Sequence, residues 1–147
     1  MTVEFVNAGN RDFRALAAEL DAYYFSLVGD VQNRYAEPNR PENMDALVVA
    51  YQDEKAVAIG AWKRREGNTA EMKRIYVCPE YRRKGIARAI LQTLEDHSAF
   101  HGCRRWILET ARTTDASHRL YLSLGYRIAE YYGSPAGEDN CQCFIKE

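Results

Sequence analysis

The sequence predicts an α/β (α+β) domain with a mixed, mostly antiparallel sheet of six to seven strands, flanked by about four helices. Three apolar stretches, 47–51, 56–63 and 71–77, are joined by connections of a few residues, which is typical of an antiparallel meander. A helical pattern then leads to the apolar stretch 104–110, and a crossover through a helix joins parallel strands. We expect one domain over residues 1–147, because a chain of this length can bury its own core.

Local sequence patterns predict the helices and strands of the N-terminal part. A first strand is predicted at Val3–Val6, and Asn10 is placed to cap a helix whose apolar positions recur from Phe13 to Leu27. Residues 29–43 hold two prolines and few apolar side chains, which predicts a loop with at most a short helix.

Local sequence patterns also predict the helices and strands of the C-terminal part. Gly102 is expected to end the crossover helix, and Thr114 or Asp115 to begin the next one, which Gly125 ends. Two last strands are predicted at 127–132 and 141–146, joined by a polar turn.

The most informative segment runs from Glu71 to Leu91 and predicts a strand, a basic turn and a helix. Pro79 cannot donate to a sheet, so the strand should end before it, and Gly85 permits a tight turn. Arg82–Lys84 lie next to the first amides of the helix. Because a helix N-terminus carries partial positive charge and unpaired N–H groups, the turn predicts a site for a compact anion such as a pyrophosphate.

Other nucleotide-binding and nucleic-acid-binding motifs fit this turn less well. A P-loop requires Lys and Ser or Thr after its last glycine, and a dinucleotide fingerprint requires three glycines, whereas only Gly85 is present. A nucleic-acid surface is disfavoured because the net charge is −1 and the isoelectric point about 6.3. We therefore expect no nucleic-acid partner.

Two motifs resemble those of the GNAT (GCN5-related N-acetyltransferase) superfamily. The spacing Arg82-x-x-Gly85-x-Ala87, after a strand that ends in Tyr-Val-x-Pro, is similar to the family's acetyl-CoA signature. The segment Leu120-Tyr-Leu-Ser-Leu-Gly-Tyr126 is similar to its second hallmark, and the resemblance covers about residues 70–130. It implies the family's fold and acetyl-CoA as co-substrate, with no metal.

The resemblance implies where acetyl-CoA would bind. Backbone amides near Ile75–Val77 would hold the pantetheine and polarise the thioester, and the turn would hold the pyrophosphate. Thr114 stands where the family usually has an asparagine that contacts CoA, and a threonine can still make one hydrogen bond. The predicted cofactor-binding residues are Ile75, Tyr76, Val77, Arg82, Arg83, Lys84, Gly85, Ile86, Ala87, Thr114 and Tyr121.

The resemblance also implies catalytic residues. Tyr121 matches the tyrosine that protonates the leaving thiolate, although it could instead be a packing aromatic. Glu71 and Glu109 match positions that serve as the base in different branches of the family. Glu71 could equally pair with Lys73 on the same strand face, and ordered water could remove the proton instead.

The acceptor site is expected at the first helix and the loop after it. Tyr24, Asp30 and Asn33 supply aromatic surface, acid and amide, which would suit a small cationic amine. Tyr24 could also be a core residue.

These observations predict an N-acetyltransferase that transfers an acetyl group from acetyl-CoA to a primary amine, of a small molecule, by direct attack in a ternary complex. One alternative is acetylation of a protein N-terminus or lysine, which would need an open channel beyond Tyr121. An alternative of another class is a non-catalytic acyl-CoA-binding module, which would not require Tyr121.

The cysteine content and the distribution of apolar residues predict the cellular location of the protein. The four cysteines match no disulfide or zinc pattern, so they are expected to be reduced and without metal. Residues 1–8 lack the apolar run of a signal peptide and no stretch could span a bilayer, so we expect a cytoplasmic protein without a membrane partner. The apolar last strands could form a homodimer edge.

Overall fold

The structure is a computed structural model that describes residues 1–28, 39–111, 115–130 and 141–147. Its strands are β1 (Thr2–Val6), β2 (Ala46–Gln52), β3 (Lys55–Arg65), β4 (Thr69–Val77), β5 (Arg105–Ala111), β6 (Arg127–Ala129) and β7 (Cys141–Lys146). Its α-helices are α1 (Arg11–Val28), α2 (Ile86–Phe100) and α3 (Asp115–Ser123), with 3-10 turns at Pro41–Asn43 and Pro79–Tyr81.

The strands form one seven-stranded sheet in the order β1-β2-β3-β4-β5-β7-β6. The β4–β5 pair is parallel and every other neighbouring pair is antiparallel. The predicted fold class is thereby confirmed, including the meander and the crossover through α2. The strand limits differ by at most two residues from those predicted, except that β6 ends at Ala129, and residues 131 and 132 lie outside the described part of the chain.

The helices cover both faces of the sheet, and each face has its own apolar core. On one face, Phe13, Leu16 and Leu20 of α1 pack against side chains such as Val49 and Ile59. On the other face, the apolar side of α2 and the end of α3 pack together with Trp62, Met72, Leu108 and Phe144. Because side chains alternate along a strand, each residue on β4 or β5 points to one of two faces. One face is covered by α1, and the other is covered by α2 and α3.

Local signals in the sequence explain where the helices begin and end. The Asn10 side chain accepts a hydrogen bond of 2.9 Å from the Phe13 amide, as a capping residue should. Gly102 and Gly125 adopt φ values of +94° and +95°, and the amides that follow them close the helix ends. These three predictions are confirmed.

A bulge in β4 shapes the centre of the sheet. Register with β3 shifts between Ile59 and Ala61, and Arg74 of β4 has a left-handed φ of +59°. Gly60 lies opposite the bulge, and a Cβ built there would lie 2.5 Å from the Ile90 Cγ2 atom. The glycine therefore lets α2 approach the sheet closely behind the bulge.

Beyond the bulge, β4 and β5 separate. Their parallel pairing begins at Thr69–Arg105 and ends at Met72–Leu108, while β4 continues to Val77 and β5 to Ala111. A V-shaped gap thus opens in the middle of the sheet between the C-terminal ends of these two strands. None of the helices in the described ranges is long and apolar enough to cross a membrane.

Candidate active site

The basic turn and the start of α2 form one end of the candidate site. Arg83 and Gly85 have φ values of +65° and +81°, so the backbone alternates in handedness just before the helix. Gly85 occupies the N-cap position, and no side chain of the described residues caps the first amides of α2. Such uncapped amides bind anions favourably, which supports the predicted pyrophosphate position.

The basic side chains of this turn do not all point the same way. Arg82 donates from Nε to the Val77 carbonyl over 2.9 Å, and its guanidinium lies 5.7 Å from the centre of the Tyr76 ring. Arg82 therefore braces the turn against the end of β4. The Lys84 ammonium lies 5.6 Å from the centre of the Tyr81 ring.

A cavity of about 680 Å³ connects this turn with the gap between β4 and β5. It is lined by residues from α1, β4, the basic turn, α2, β5 and α3, namely Leu20, Tyr23, Tyr24, Ile75, Tyr76, Val77, Tyr81, Arg82, Arg83, Gly85, Ile86, Ala87, Arg88, Thr110, Ser117, Leu120 and Tyr121. The structure thus brings together most of the predicted cofactor-binding residues. Lys84 is absent from the described lining, and Thr114 lies outside the described residues.

Tyr121 lies at the gap end of the cavity. Its side chain is only 6% exposed, and its ring packs 5.5 Å from the Phe144 ring, between centroids. Burial raises the pKa of Tyr121 above its ordinary value, and the nearby Tyr24 adds to this shift. The phenol therefore remains protonated at neutral pH and can act as a proton donor.

The two candidate bases lie on the α1 face of the sheet. Glu71 is 3% exposed and accepts a hydrogen bond of 2.7 Å from Arg65, while the Lys73 ammonium lies 3.7 Å from its other oxygen. Desolvation lowers the pKa of Lys73, although Glu71 and Glu109 oppose this shift. Neither glutamate is among the described residues that line the cavity. Their role as a base stays a prediction.

The predicted acceptor residues are only partly described. Tyr24 lies on α1 and lines the cavity, as does Thr110 of β5. Asp30 and Asn33 lie outside the described residues, so their predicted role is not tested.

Sequence reasoning missed three polar residues of the lining: Arg88, Thr110 and Ser117. Arg88 is exposed one turn into α2 and donates to Ser123 of α3 over 3.1 Å. Thr110 follows Glu109 at the end of an apolar strand, and a second polar residue at that position was the available signal. In the described ranges, no group of three or more metal-ligating side chains is assembled.

Comparison with known proteins agrees with this geometry. The sequence profile described as "Acetyltransferase (GNAT) family" matches residues 13–126. Over 115 residues the chain is 30% identical to human N-acetylaspartate synthetase, and this aligned segment covers 78% of this chain and 37% of that protein. It is 34% identical over 61 residues to an aminoglycoside N(6')-acetyltransferase type 1 from Acinetobacter genomosp. 13, covering 42% of each protein. The chain therefore spans less than half the length of these relatives.

Solved structures share the fold across almost the whole chain. One described as an acyl-CoA N-acyltransferase from Klebsiella pneumoniae superposes with a TM-score of 0.82 at 25% identity, covering 99% of this chain and 95% of that one. The PaiA N-acetyltransferase of Thermoplasma acidophilum, solved in complex with coenzyme A, gives a TM-score of 0.73 at 16% identity. That comparison covers 100% of this chain and 99% of the PaiA chain. At this identity the PaiA likeness concerns the fold alone.

Proposed function

Because this chain belongs to the GNAT family of acetyltransferases, we propose that it transfers an acetyl group from acetyl-CoA to the primary amine of a small molecule. The observation that carries the proposal is that one cavity, lined by described residues, joins the start of α2 to the gap beside Tyr121. One end suits a pyrophosphate and the other suits a reacting thioester.

The cofactor end of the site acts mainly through the backbone. The first amides of α2 and the alternating turn at Arg83–Gly85 would hold the pyrophosphate, and the exposed Arg83 side chain would add positive charge. Past Met72, the edge of β4 that faces the gap has no described pairing with β5. The amides of Ile75–Val77 would there bind the pantetheine and stabilise negative charge on the thioester oxygen.

The transfer itself would occur in a ternary complex. The neutral amine nitrogen attacks the thioester carbonyl carbon, the carbon–sulfur bond breaks, and Tyr121 gives its proton to the departing sulfur. As the amide forms, the nitrogen loses its excess proton, which restores the Tyr121 phenol directly or through water. The attacking amine must first lose a proton, for which Glu71, Glu109 or water is the acceptor. Met72 packs in the core on the α2 side, so strand alternation places its neighbours Glu71 and Lys73 on the face of the sheet that α1 covers. In this arrangement the amine would approach from the α1 face, and Tyr121 would act from the α3 side of the gap.

A small-molecule acceptor is supported by the names of the relatives. One group is named for N-acetylaspartate and the other for aminoglycosides, which both denote small molecules. Tyr23 and Tyr24 provide aromatic walls at the acceptor side of the cavity. These features favour a small amine over a protein terminus or lysine.

The first test is stabilisation by acetyl-CoA. At about 100 times its dissociation constant, a ligand that binds only the folded state adds about 2.7 kcal/mol, which for a protein of this size raises the melting temperature by roughly 5–10 °C. Ala87→Glu should retain the fold, because a carboxylate is favourable in the first turn of a helix, yet it should abolish most of this shift by competing with the phosphates.

The matched control is Ala89→Glu, which makes the same change two residues further along α2, outside the described cavity lining. It should keep the full shift. An unchanged melting temperature of the folded wild-type protein with acetyl-CoA would remove the basis of the proposal.

The second step is to measure release of free CoA with single amines, using aspartate, an aminoglycoside and a linear polyamine, with a lysine-containing peptide as the competing class. An amine-dependent rate with a small molecule supports the proposal. Turnover of the peptide alone would replace it with protein acetylation. Binding of acetyl-CoA without turnover of any amine would favour a non-catalytic acyl-CoA-binding module.

A further inference from the structure

The bulge in β4 turns two consecutive basic side chains towards the same helix. Two residues of β4, Arg74 and Ile75, lie opposite the single residue Gly60 of β3. Lys73 is on the α1 face by strand alternation, and Arg74, with its left-handed φ of +59°, reaches α1 as well. Alternation then resumes, because Ile75 packs against the core on the α2 side and Tyr76 belongs to the core on the α1 side. The bulge therefore decides the face on which Arg74 lies.

Arg74 holds α1 by two hydrogen bonds from one nitrogen. Its Nη2 atom donates to the Ala17 carbonyl oxygen over 2.9 Å and to Asp21 Oδ1 over 2.8 Å. Ala17 and Asp21 are four residues apart, so the two acceptors lie on one side of α1, about one turn apart. The Arg74 side chain is only 5% exposed. Because a buried guanidinium is costly without partners, this link fixes the distance between α1 and β4.

The link is next to the cavity on both of its elements. On α1, three residues that flank Asp21 line the cavity, namely Leu20, Tyr23 and Tyr24. On β4, Ile75 follows Arg74 and lines the same cavity. One arginine thus ties the α1 wall of the cavity to the strand that is proposed to bind the thioester.

We propose that Arg74 is a positioning residue for acetyl transfer, which holds α1 at a fixed distance from β4 through Ala17 and Asp21 and so sets the width of the amine end of the cavity. This inference rests on the proposed function. Since the amine would enter from the α1 face, a wall that is held in place binds it without first having to be ordered. The nucleotide part of acetyl-CoA would bind at the start of α2, which belongs to another wall of the cavity.

The kinetic test removes each partner of the link. In Arg74→Met the long unbranched stem is kept and the donors are lost, and the Asp21 side chain, which is 52% exposed, is not left as a buried charge. This variant should therefore fold. Asp21→Ala loses one of the two bonds at a half-exposed helix position, where alanine is favourable.

We expect Arg74→Met to raise the KM for the amine about tenfold and Asp21→Ala about threefold, with the KM for acetyl-CoA changed less than about twofold in both. Arg74→Lys should restore part of the affinity, because an ammonium can also donate to two acceptors from one nitrogen. The amine is the acceptor that the wild type acetylates fastest among aspartate, an aminoglycoside, a linear polyamine and a lysine-containing peptide.

Arg14→Met is the matched control. Arg14 makes the same kinds of contact near the other end of α1, since it donates to the Ala8 carbonyl over 2.8 Å and to Glu42 over 2.6 Å. These residues are not among the described residues that line the cavity. Arg14→Met should therefore leave the KM for the amine unchanged. If Arg74→Met behaves like Arg14→Met in an active enzyme, the inference is wrong while the proposed function stands.

A second readout does not depend on turnover. Amide hydrogen exchange in residues 22–28 should be several-fold faster in Arg74→Met than in the wild type and unchanged in Arg14→Met, because only Arg74 holds that half of the helix to β4. Unchanged exchange in Arg74→Met would overturn the inference. A lower kcat with both KM values unaltered would indicate only a smaller folded fraction, and would overturn it too. A wild type that acetylates none of the four acceptors would overturn both proposals.

Discussion

At the scale of single residues, the environment of Tyr121 differs from that of the other buried tyrosine beside it. The Tyr126 hydroxyl donates to Glu95 over 2.9 Å, and Glu95 also accepts a hydrogen bond of 2.7 Å from Lys146. Tyr126 is thus part of a structural network that joins α2 to β7. Tyr121 instead lines the cavity, where the proposed reaction would use its proton.

This difference gives a paired prediction. Tyr121→Phe should lower kcat by about 10²–10⁴-fold, because the thiolate would leave without an acid, while the melting temperature changes little. Tyr126→Phe should leave kcat unchanged but destabilise the protein by about 1–3 kcal/mol, because Glu95 loses one of its buried partners. Steady-state kinetics and thermal unfolding of both variants check this, and equal effects on kcat would contradict the role proposed for Tyr121.

At the scale of elements, the arrangement of α2 against β3 and β4 determines the shape of the site. Gly60 of β3 lies opposite the bulge of β4, and a Cβ at this position would also lie 3.0 Å from Ile75 Cδ1 and from Leu94 Cδ1. Ile75 lines the cavity, so the close approach of α2 and the position of the β4 backbone are connected. A strand glycine is here a requirement of packing rather than of backbone conformation.

We therefore expect Gly60→Ala to destabilise the protein by about 1–3 kcal/mol, because the added methyl group forces α2 and the bulge apart. Chemical denaturation measures this loss. Gly9→Ala is the matched control, since among the described residues a Cβ there has only Asn7 Oδ1 nearby, at 3.4 Å. Equal stability of the two variants would mean that the sheet relaxes around the methyl group.

At the scale of the whole molecule, a histidine joins three separate elements. The Trp62 indole of β3 donates to His97 Nδ1 of α2 over 3.0 Å, and the Phe5 ring of β1 lies 4.6 Å from the His97 ring, between centroids. Burial lowers the pKa of His97, and the neighbouring His101 adds to this shift. The folded protein thus favours the neutral ring, whose Nδ1 can accept the indole hydrogen.

The sign of the pH dependence follows from this shift. Because the unfolded chain has the ordinary histidine pKa near 6.5, it binds more protons than the folded state when the pH falls below that value. The contribution of His97 is fully present above about pH 6.5 and is lost as the pH falls towards its lower folded-state pKa. The melting temperature should therefore decrease between pH 7.5 and pH 5.

His97→Asn provides the comparison, since an asparagine oxygen can accept from Trp62 but does not titrate. This variant should show a smaller decrease in melting temperature over the same pH range, even if it is less stable throughout. Identical pH slopes for the two proteins would assign the acid sensitivity to other groups.

Much of the fold could be predicted from sequence because its signals are local. Asn10, Gly102 and Gly125 mark helix ends by their own chemistry, and the short connections between 47–51, 56–63 and 71–77 require antiparallel neighbours. The turn before α2 was also predictable, because its basic residues and its glycine are consecutive. The motif could be recognised for the same reason.

Only the tertiary structure decided how these parts meet. Nothing local in the sequence places Tyr24 of α1 and Thr110 of β5 in one cavity, since 85 residues lie between them and the cavity includes the gap that opens after Met72. The pairing of Glu71 with Arg65 and Lys73, and the tight fit of Gly60 against Ile90, likewise depend on strand register and on the depth of helix packing. The sequence by itself thus determined the elements, the family resemblance and the basic turn before α2. Their convergence on one cavity was decided by long-range packing, because the position of each side chain there depends on neighbours distant along the chain.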